Sequence, residues 1–265
     1  MLEVPKKQVL HLELTLCSEE EVMGHFASFL TEDADCATSS CRSIMFANLH
    51  ALSLAREDEE FCAALNSADL LLNDGIGIEI IARRRGIELK ENLNGTDLIP
   101  KLLQSYVEQS QDLIDEGVQP ANSASVFLLG SKSEIIATAA RECEHRFKGL
   151  NIAGFHDGYF SAEENDHIVE LINQSGAKVL ILGMGMPLQE LWIAENKDKL
   201  SSARVVIAGG AIIDYLSGCV KRSPEIFVRL RLEWLYRLCR EPQRLIGRNV
   251  RGIIDLIRFI RCCRR

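Results

Sequence analysis

The chain has 265 residues, 47% of them hydrophobic and 26% charged, with a formal net charge of −8. That composition belongs to a folded protein able to bury one substantial core plus an appendage, and it excludes a disordered chain. The apolar runs fall far short of the roughly 20 residues that span a bilayer, and the start MLEVPKK carries no signal-peptide core, so a cytoplasmic protein is expected.

From residue 8 to residue 209, short β-branched runs alternate with longer helical patterns, which predicts βαβ units and therefore an α/β fold around a parallel sheet. Strands are expected at Val9–Leu16, Ile44–Asn48, Leu70–Asn73, Val126–Leu129, Asn151–Gly154, Val179–Leu182 and Val205–Ala208. Helical stretches between them include 51–65, 76–85, 95–110, 132–147, 163–175 and 187–200. The stretches Cys36–Cys41 and Asp112–Ser125, rich in small and turn-forming residues, read as loops. From Pro224 the strand signal stops and two helices follow, at about 224–240 and 242–263, with Pro242 as the break between them. The pattern divides the chain into a catalytic body, 1–220, and a helical appendage, 221–265.

Charge is distributed along the same boundary. Residues 221–265 carry 13 basic and 4 acidic side chains, a balance of +9, which leaves 17 basic against 34 acidic, or −17, in the body. In the last helix Arg244, Arg248, Arg251 and Arg258 cluster on one side, and Ile246, Val250, Ile253, Ile254, Ile257 and Ile260 lie opposite. A helix of this kind suits an anionic bilayer surface. The plainer alternative is a helix docked on the body with its arginines in water; the basic surplus favours the membrane, with Arg248, Arg251 and Arg258 as contacts.

Ligands of an open parallel sheet bind at the carboxyl ends of its strands, where helix N-termini present their amides. Asn48, Asp74-Gly75, Gly130-Ser131, Gly183-Met184-Gly185 and Gly209-Gly210 occupy those ends and describe one cleft with a lone carboxylate and several amide donors. Read alone, Asp74 suits the N-cap of the helix beginning near Ile76 better than it suits catalysis. Gln189, in the first turn of the next helix, reads by itself as an ordinary exposed residue. The nine cysteines show neither a CxxC pair nor zinc-ligand spacing, so no structural metal and no disulfide framework is expected. Asp33-Ala34-Asp35 spells a DxD, yet nothing frames it as a metal turn, and it reads as a solvated loop.

Longer strings add to this. Gly183-Met-Gly-Met-Pro-Leu-Gln-Glu-Leu-Trp192, Gly209-Gly210, Asp214, Gly218-Cys-Val-Lys-Arg-Ser-Pro224, Leu232-Glu-Trp-Leu-Tyr-Arg-Leu238 and Glu241-Pro242 together resemble the WecG/TagA/CpsF family, glycosyltransferase family 26. The likeness extends upstream through Asn48-x-His50, Ser67-Ala-Asp, Asp74-Gly75, Asn94-Gly-Thr-Asp97, Leu128-Leu-Gly130 and Asp157-Gly-Tyr-Phe160. It implies a Rossmann-like core with helices on both faces and a C-terminal appendage that attaches to the membrane and completes the site. It also implies an inverting transferase that moves a sugar from a UDP donor onto a polyprenyl-diphosphate-linked sugar in cell-surface or exopolysaccharide synthesis, at the inner face of the cytoplasmic membrane.

By that resemblance Asp74 is the general base, Asn48, Gln189 and Asp214 line the donor pocket with Gly130, Gly183, Gly185, Gly209 and Gly210, and Arg237 and Arg244 face the diphosphate. No cofactor and no metal is expected, since arginines are at hand for the leaving group; homo-oligomers fit the family. Two positions depart from it, Phe46 for a threonine and Asn92 for an arginine. Both border the presumed pocket, and they leave N-acetylmannosamine, glucose and a uronic acid open as donor sugars. A nucleotide- or nucleic-acid-binding module with a phosphate-gripping tail is the rival reading. It is disfavoured by the acidic body and the shortage of aromatics for stacking, so no nucleic acid partner is expected. A dehydrogenase would need a GxGxxG after the first strand, which is missing.

Overall fold

Strands that are apolar at every position need cover on both faces. Val126-Phe-Leu-Leu129, Val179-Leu-Ile-Leu182 and Val205-Val-Ile-Ala208 are of this kind, and every one of these residues is buried. The computed structural model describes residues 4–31, 41–115, 124–220, 222–224, 227, 235–236, 238 and 242–262. Its elements are β1 (Lys6–Val9), β2 (Leu12–Thr15), α1 (Glu19–Thr31), β3 (Arg42–Ala47), α2 (Leu49–Glu57), α3 (Glu59–Asn66), β4 (Leu70–Asn73), α4 (Ile76–Arg84) and α5 (Gly95–Asp115). They continue with β5 (Ser125–Gly130), α6 (Ser133–Arg146), β6 (Asn151–His156), α7 (Asn165–Ser175), β7 (Val179–Gly183), α8 (Leu188–Asn196), β8 (Val205–Ala208), α9 (Ile212–Leu216) and α10 (Pro242–Cys262).

Six strands form one sheet in the order β4-β3-β8-β7-β5-β6, and every pairing in it is parallel. Alternate residues of each strand point to opposite faces, and the buried side chains sort accordingly. Met45, Leu71, Phe127, Leu129, Leu180, Leu182 and Val206 join a cluster with α2, α3, α4, α7, α8 and α10. Ile44, Leu70, Leu72, Val126, Leu128, Val179, Ile181 and Ile207 join a second cluster with α1, α5, α6 and α9. The architecture is thus α/β, a Rossmann-like parallel sheet between two helical layers. Of the expected loop Asp112–Ser125, α5 takes in the residues to Asp115 and β5 starts at Ser125; 116–123 lie outside the described residues.

Two further expectations need correction. The single strand Val9–Leu16 is instead the antiparallel hairpin β1–β2, turned at Leu10-His11 with Leu10 at a left-handed φ of 58°. No glycine or asparagine marks that turn, so the sequence carried no signal for it. The hairpin stands beside β4 and is tied to it where the Leu71 amide donates to Thr15 Oγ1 at 3.0 Å. The helix 51–65 is two helices, α2 and α3, joined at Asp58, whose amide closes α2 on the Leu54 carbonyl while its carboxylate accepts from the Phe61 amide at 2.9 Å. One residue thus ends one helix with its main chain and starts the next with its side chain.

The C-terminal α10 is docked on the body, against α2 and α4. Phe259 and Asp255 are buried there; Arg56 reaches Asp255 at 3.5 Å and its guanidinium lies over the Phe259 ring at 5.6 Å. At about 100° per residue, Gly252, Asp255, Leu256 and Phe259 form the docked face. The remaining arc is not uniformly polar: Ile253, Ile254 and Ile257 are 50%, 45% and 47% exposed, with Arg251 and Arg258 exposed beside them. The alternative of a docked helix therefore holds for a face other than the apolar side expected from sequence, whose members Ile253, Ile254 and Ile257 face solvent. The expected helix 224–240 lies almost wholly outside the described residues.

Candidate active site

Because all six strands are parallel, their carboxyl ends share one rim, along which Asp74, Asn48, Gly209-Gly210, Gly183–Gly185, Gly130-Ser131 and Asp157 follow one another in sheet order. The connection after β5 leaves through α6 on one face and the connection after β7 through α8 on the other. Such divergence opens a crevice between neighbouring strands, and its two lips are the paired residues Gly130 and Gly183. Four strand spacings separate β5 from β4, roughly 19 Å at about 4.8 Å each.

Glycine at these positions serves close packing. A Cβ on Gly130, whose φ is 137°, would come within 2.6 Å of the Gly183 carbonyl oxygen, and one on Gly183 within 2.6 Å of Ile213 Cδ1. The amides of the glycine turns are not the open donors expected from sequence. Gly209 donates to the Leu182 carbonyl at 2.8 Å. Gly185 and Gly210 donate to Oε1 of Gln189 at 3.3 and 3.0 Å. Gln189 itself is 1% exposed, so it ties the β7 turn to the β8 turn from beneath instead of standing at an exposed helix start. Asp214, at the start of α9, accepts from the Ser131 hydroxyl at 2.7 Å, with Ser131 held at a left-handed φ of 55°. Asp214 thereby fastens the β5 turn to α9 beside the crevice.

At the other end of the rim, α4 is capped by Gly75 at φ 88° with no side-chain hydrogen bond, so Asp74 is not the helix cap that its position suggests. The Asp74 amide donates to the Ala47 carbonyl at 2.8 Å, which prolongs the β3–β4 ladder. Asn92 holds the turn, accepting from the Gly75 amide at 2.7 Å, and Asn73 beside it donates to the Glu91 carbonyl. Asn48 caps α2, accepting from the His50 and Ala51 amides at 3.0 and 3.1 Å. Phe46, expected to border the pocket, is buried beneath it, against the space that Gly95 leaves open. Arg237 and the side chains of Arg244 and Arg248 lie outside the described residues, as does the Asp33-Ala34-Asp35 loop. Asp97, at the start of α5, holds Arg222 in an ion pair, which anchors the beginning of the appendage.

Ser131 and Asn92 were placed at the cleft from sequence, and the structure adds the bonds they make there. One participant was passed over. Glu190 sits one residue after Gln189 in the first turn of α8, where an acidic residue ordinarily faces solvent and the helix dipole. Here it is fully buried. Burial pushes its carboxyl up to about 7, against the opposing hydrogen bond from Gln189. Among the described residues its Oε2 is the only buried side-chain nitrogen or oxygen without a hydrogen-bond partner.

A carboxyl raised on folding contributes stability that is complete below about pH 4.5 and is lost as pH climbs toward about 7. Glu190→Gln should therefore flatten this part of the stability profile and give a more stable protein at pH 8. Urea unfolding at pH 5 and pH 8 checks this; equal differences from wild type at the two values would contradict it.

A family model described as "Glycosyl transferase WecG/TagA/CpsF family" matches residues 7–265, almost the whole chain. The chain belongs to this family. It is a glycosyl transferase, and among its relatives is a Bacillus spizizenii (strain W23) protein named "N-acetylglucosaminyldiphosphoundecaprenol N-acetyl-beta-D-mannosaminyltransferase". The two are 31% identical over 190 residues, which cover 72% of this glycosyl transferase and 68% of the relative.

Proposed function

We propose that this glycosyl transferase moves a sugar, with inversion, from a UDP-sugar onto a polyprenyl-diphosphate-linked sugar during synthesis of a bacterial cell-surface polymer, with Asp74 as general base. The observation that carries the reading is the carboxylate at the end of β4: Gly75 occupies the capping position, so Asp74 stands on the rim without serving α4. An inverting transfer needs one base to take the acceptor hydroxyl's proton while the anomeric carbon is attacked opposite the leaving group, and one carboxylate is enough. The acceptor class is that of the relative, whose name specifies a diphosphoundecaprenol-linked N-acetylglucosamine. The nucleotide is assigned to the crevice between β5 and β7, near Ser131 and Asp214, with its sugar directed along the rim toward Asp74.

Charge on the departing diphosphate needs a counter-charge. We assign that to Arg237 and Arg244 of the appendage, with no metal required. The donor sugar is not narrowed by Phe46, which is buried, or by Asn92, which braces the Asp74-Gly75 turn. Transfer from a panel of UDP-sugars to synthetic polyprenyl-diphosphate-linked N-acetylglucosamine, with and without EDTA, tests donor, acceptor and metal use together. The expected result is transfer from one donor that EDTA leaves intact; no transfer from any UDP-sugar would refute the reading.

Attachment is assigned to the outer arc of α10, placing the protein on the inner face of the cytoplasmic membrane. Ile253, Ile254 and Ile257 there expose apolar surface next to Arg251 and Arg258, the combination that binds anionic lipid at an interface. Replacing both arginines with Gln should cut sedimentation with anionic vesicles at about 0.1 M salt by several-fold, at about 1 kcal/mol for each basic residue near the surface. Undiminished sedimentation would remove α10 as the contact.

A further inference from the structure

We infer that Glu190 is a positioning residue that orients the two glycine turns of the cleft through Gln189. This rests on the nucleotide-sugar reading of that cleft. A glutamine amide has an accepting and a donating end, and the two are interchangeable in shape. In Gln189 the accepting end meets two donors, the amides of Gly185 and Gly210, so the donating end must point the other way. It points into the core and requires an acceptor there. Glu190 Oε1 is that acceptor, at 2.7 Å.

Both side chains are shut off from solvent, so water cannot substitute for either partner. The arrangement forms a short relay: a buried carboxyl fixes the direction of a buried amide, and the amide fixes two turns on different strands. Gly185 and Gly210 both have left-handed φ, 81° and 59°, and no neighbouring atom lies within 4 Å of where a Cβ would be on either. The turns pack tightly at Gly183 and Gly209, and Gln189 adds the one side-chain bond, among the described residues, that both the Gly185 and the Gly210 amide make. Placing an acidic side chain in a core is costly, and among the described residues no ion pair with Glu190 offsets it; a role for its acceptor oxygen accounts for the residue better than packing does.

Three variants separate this role from a merely structural one. Glu190→Met fills similar space without an acceptor, Glu190→Asp withdraws the acceptor by one methylene, and Glu190→Gln keeps it. Binding of UDP by calorimetry should weaken about tenfold in the Met and Asp variants, the scale of one buried donor left unpaired, and stay within about twofold in Gln. The donor KM should rise in parallel while kcat changes much less.

Should the Met variant not fold, the Asp variant carries the comparison. Wild-type affinity in a folded Met or Asp variant, or a Gln variant as impaired as Met, would overturn the inference. If the wild-type protein itself takes up no UDP, the nucleotide reading fails. In that case residue-resolved amide exchange at Gly185 and Gly210 decides the link: protection lost in Met and Asp but retained in Gln supports it, and unchanged protection in all three refutes it.

Discussion

Asp74→Asn is expected to lower the transfer rate by at least two orders of magnitude while leaving the fold and UDP affinity unchanged. Removing a positioned general base costs about 10²- to 10⁴-fold. The substitution is nearly isosteric, and the bonds that hold the turn itself do not depend on the carboxylate. The turn is held by main-chain and neighbouring groups, namely the Asp74 amide on the Ala47 carbonyl and Asn92 on the Gly75 amide. Neither bond involves the Asp74 carboxylate, and α4 takes no cap from it. Initial rates with saturating donor and acceptor, together with UDP calorimetry, check both halves. Unchanged turnover would remove Asp74 as the base, and parallel loss of UDP binding would make it a donor ligand.

Gly130→Ala should produce the largest loss of stability of any single methyl addition along the rim. The residue has φ 137°, which side chains rarely adopt, and the added carbon would press on the facing main chain of Gly183. A flexible side chain can swing away; two paired strands in the middle of a sheet cannot. Backbone strain of about 1–3 kcal/mol joins overpacking of about 1–3 kcal/mol, a large share of the roughly 5–15 kcal/mol typical of a whole domain. Urea denaturation should show the midpoint falling steeply, or the variant accumulating as insoluble protein. Ala at Gly176, a left-handed helix end with open space around it, should be far milder, and a Gly130 variant no worse than that one would contradict the packing argument.

The sheet was legible from sequence because its central strands are apolar at every position and its rim residues come directly after them. Asp74, Asn48 and the glycines were likewise placed on one rim from strand ends alone. What escaped were features decided by three-dimensional neighbours. The Leu10-His11 turn lacks turn residues, and Asp58 looks like any charged residue within a helical stretch. Gln189 and Glu190 occupy a helix start, where polar residues are normally wet; both are buried here, Gln189 against the β7 and β8 turns, which no local pattern records. Phe46 misled for a related reason. It stands two residues before Asn48 but still within β3, where its side chain packs into the layer of α1, α5, α6 and α9 beneath the rim.

The bracing of Gly185 and Gly210 by Gln189 also bears on product release. A nest of open amides would grip a departing diphosphate as firmly after transfer as before it. Here those two amides already have a partner inside the protein, so they add no such grip on the product. Under the proposed reaction, release of the nucleotide then does not wait on breaking bonds to these two amides.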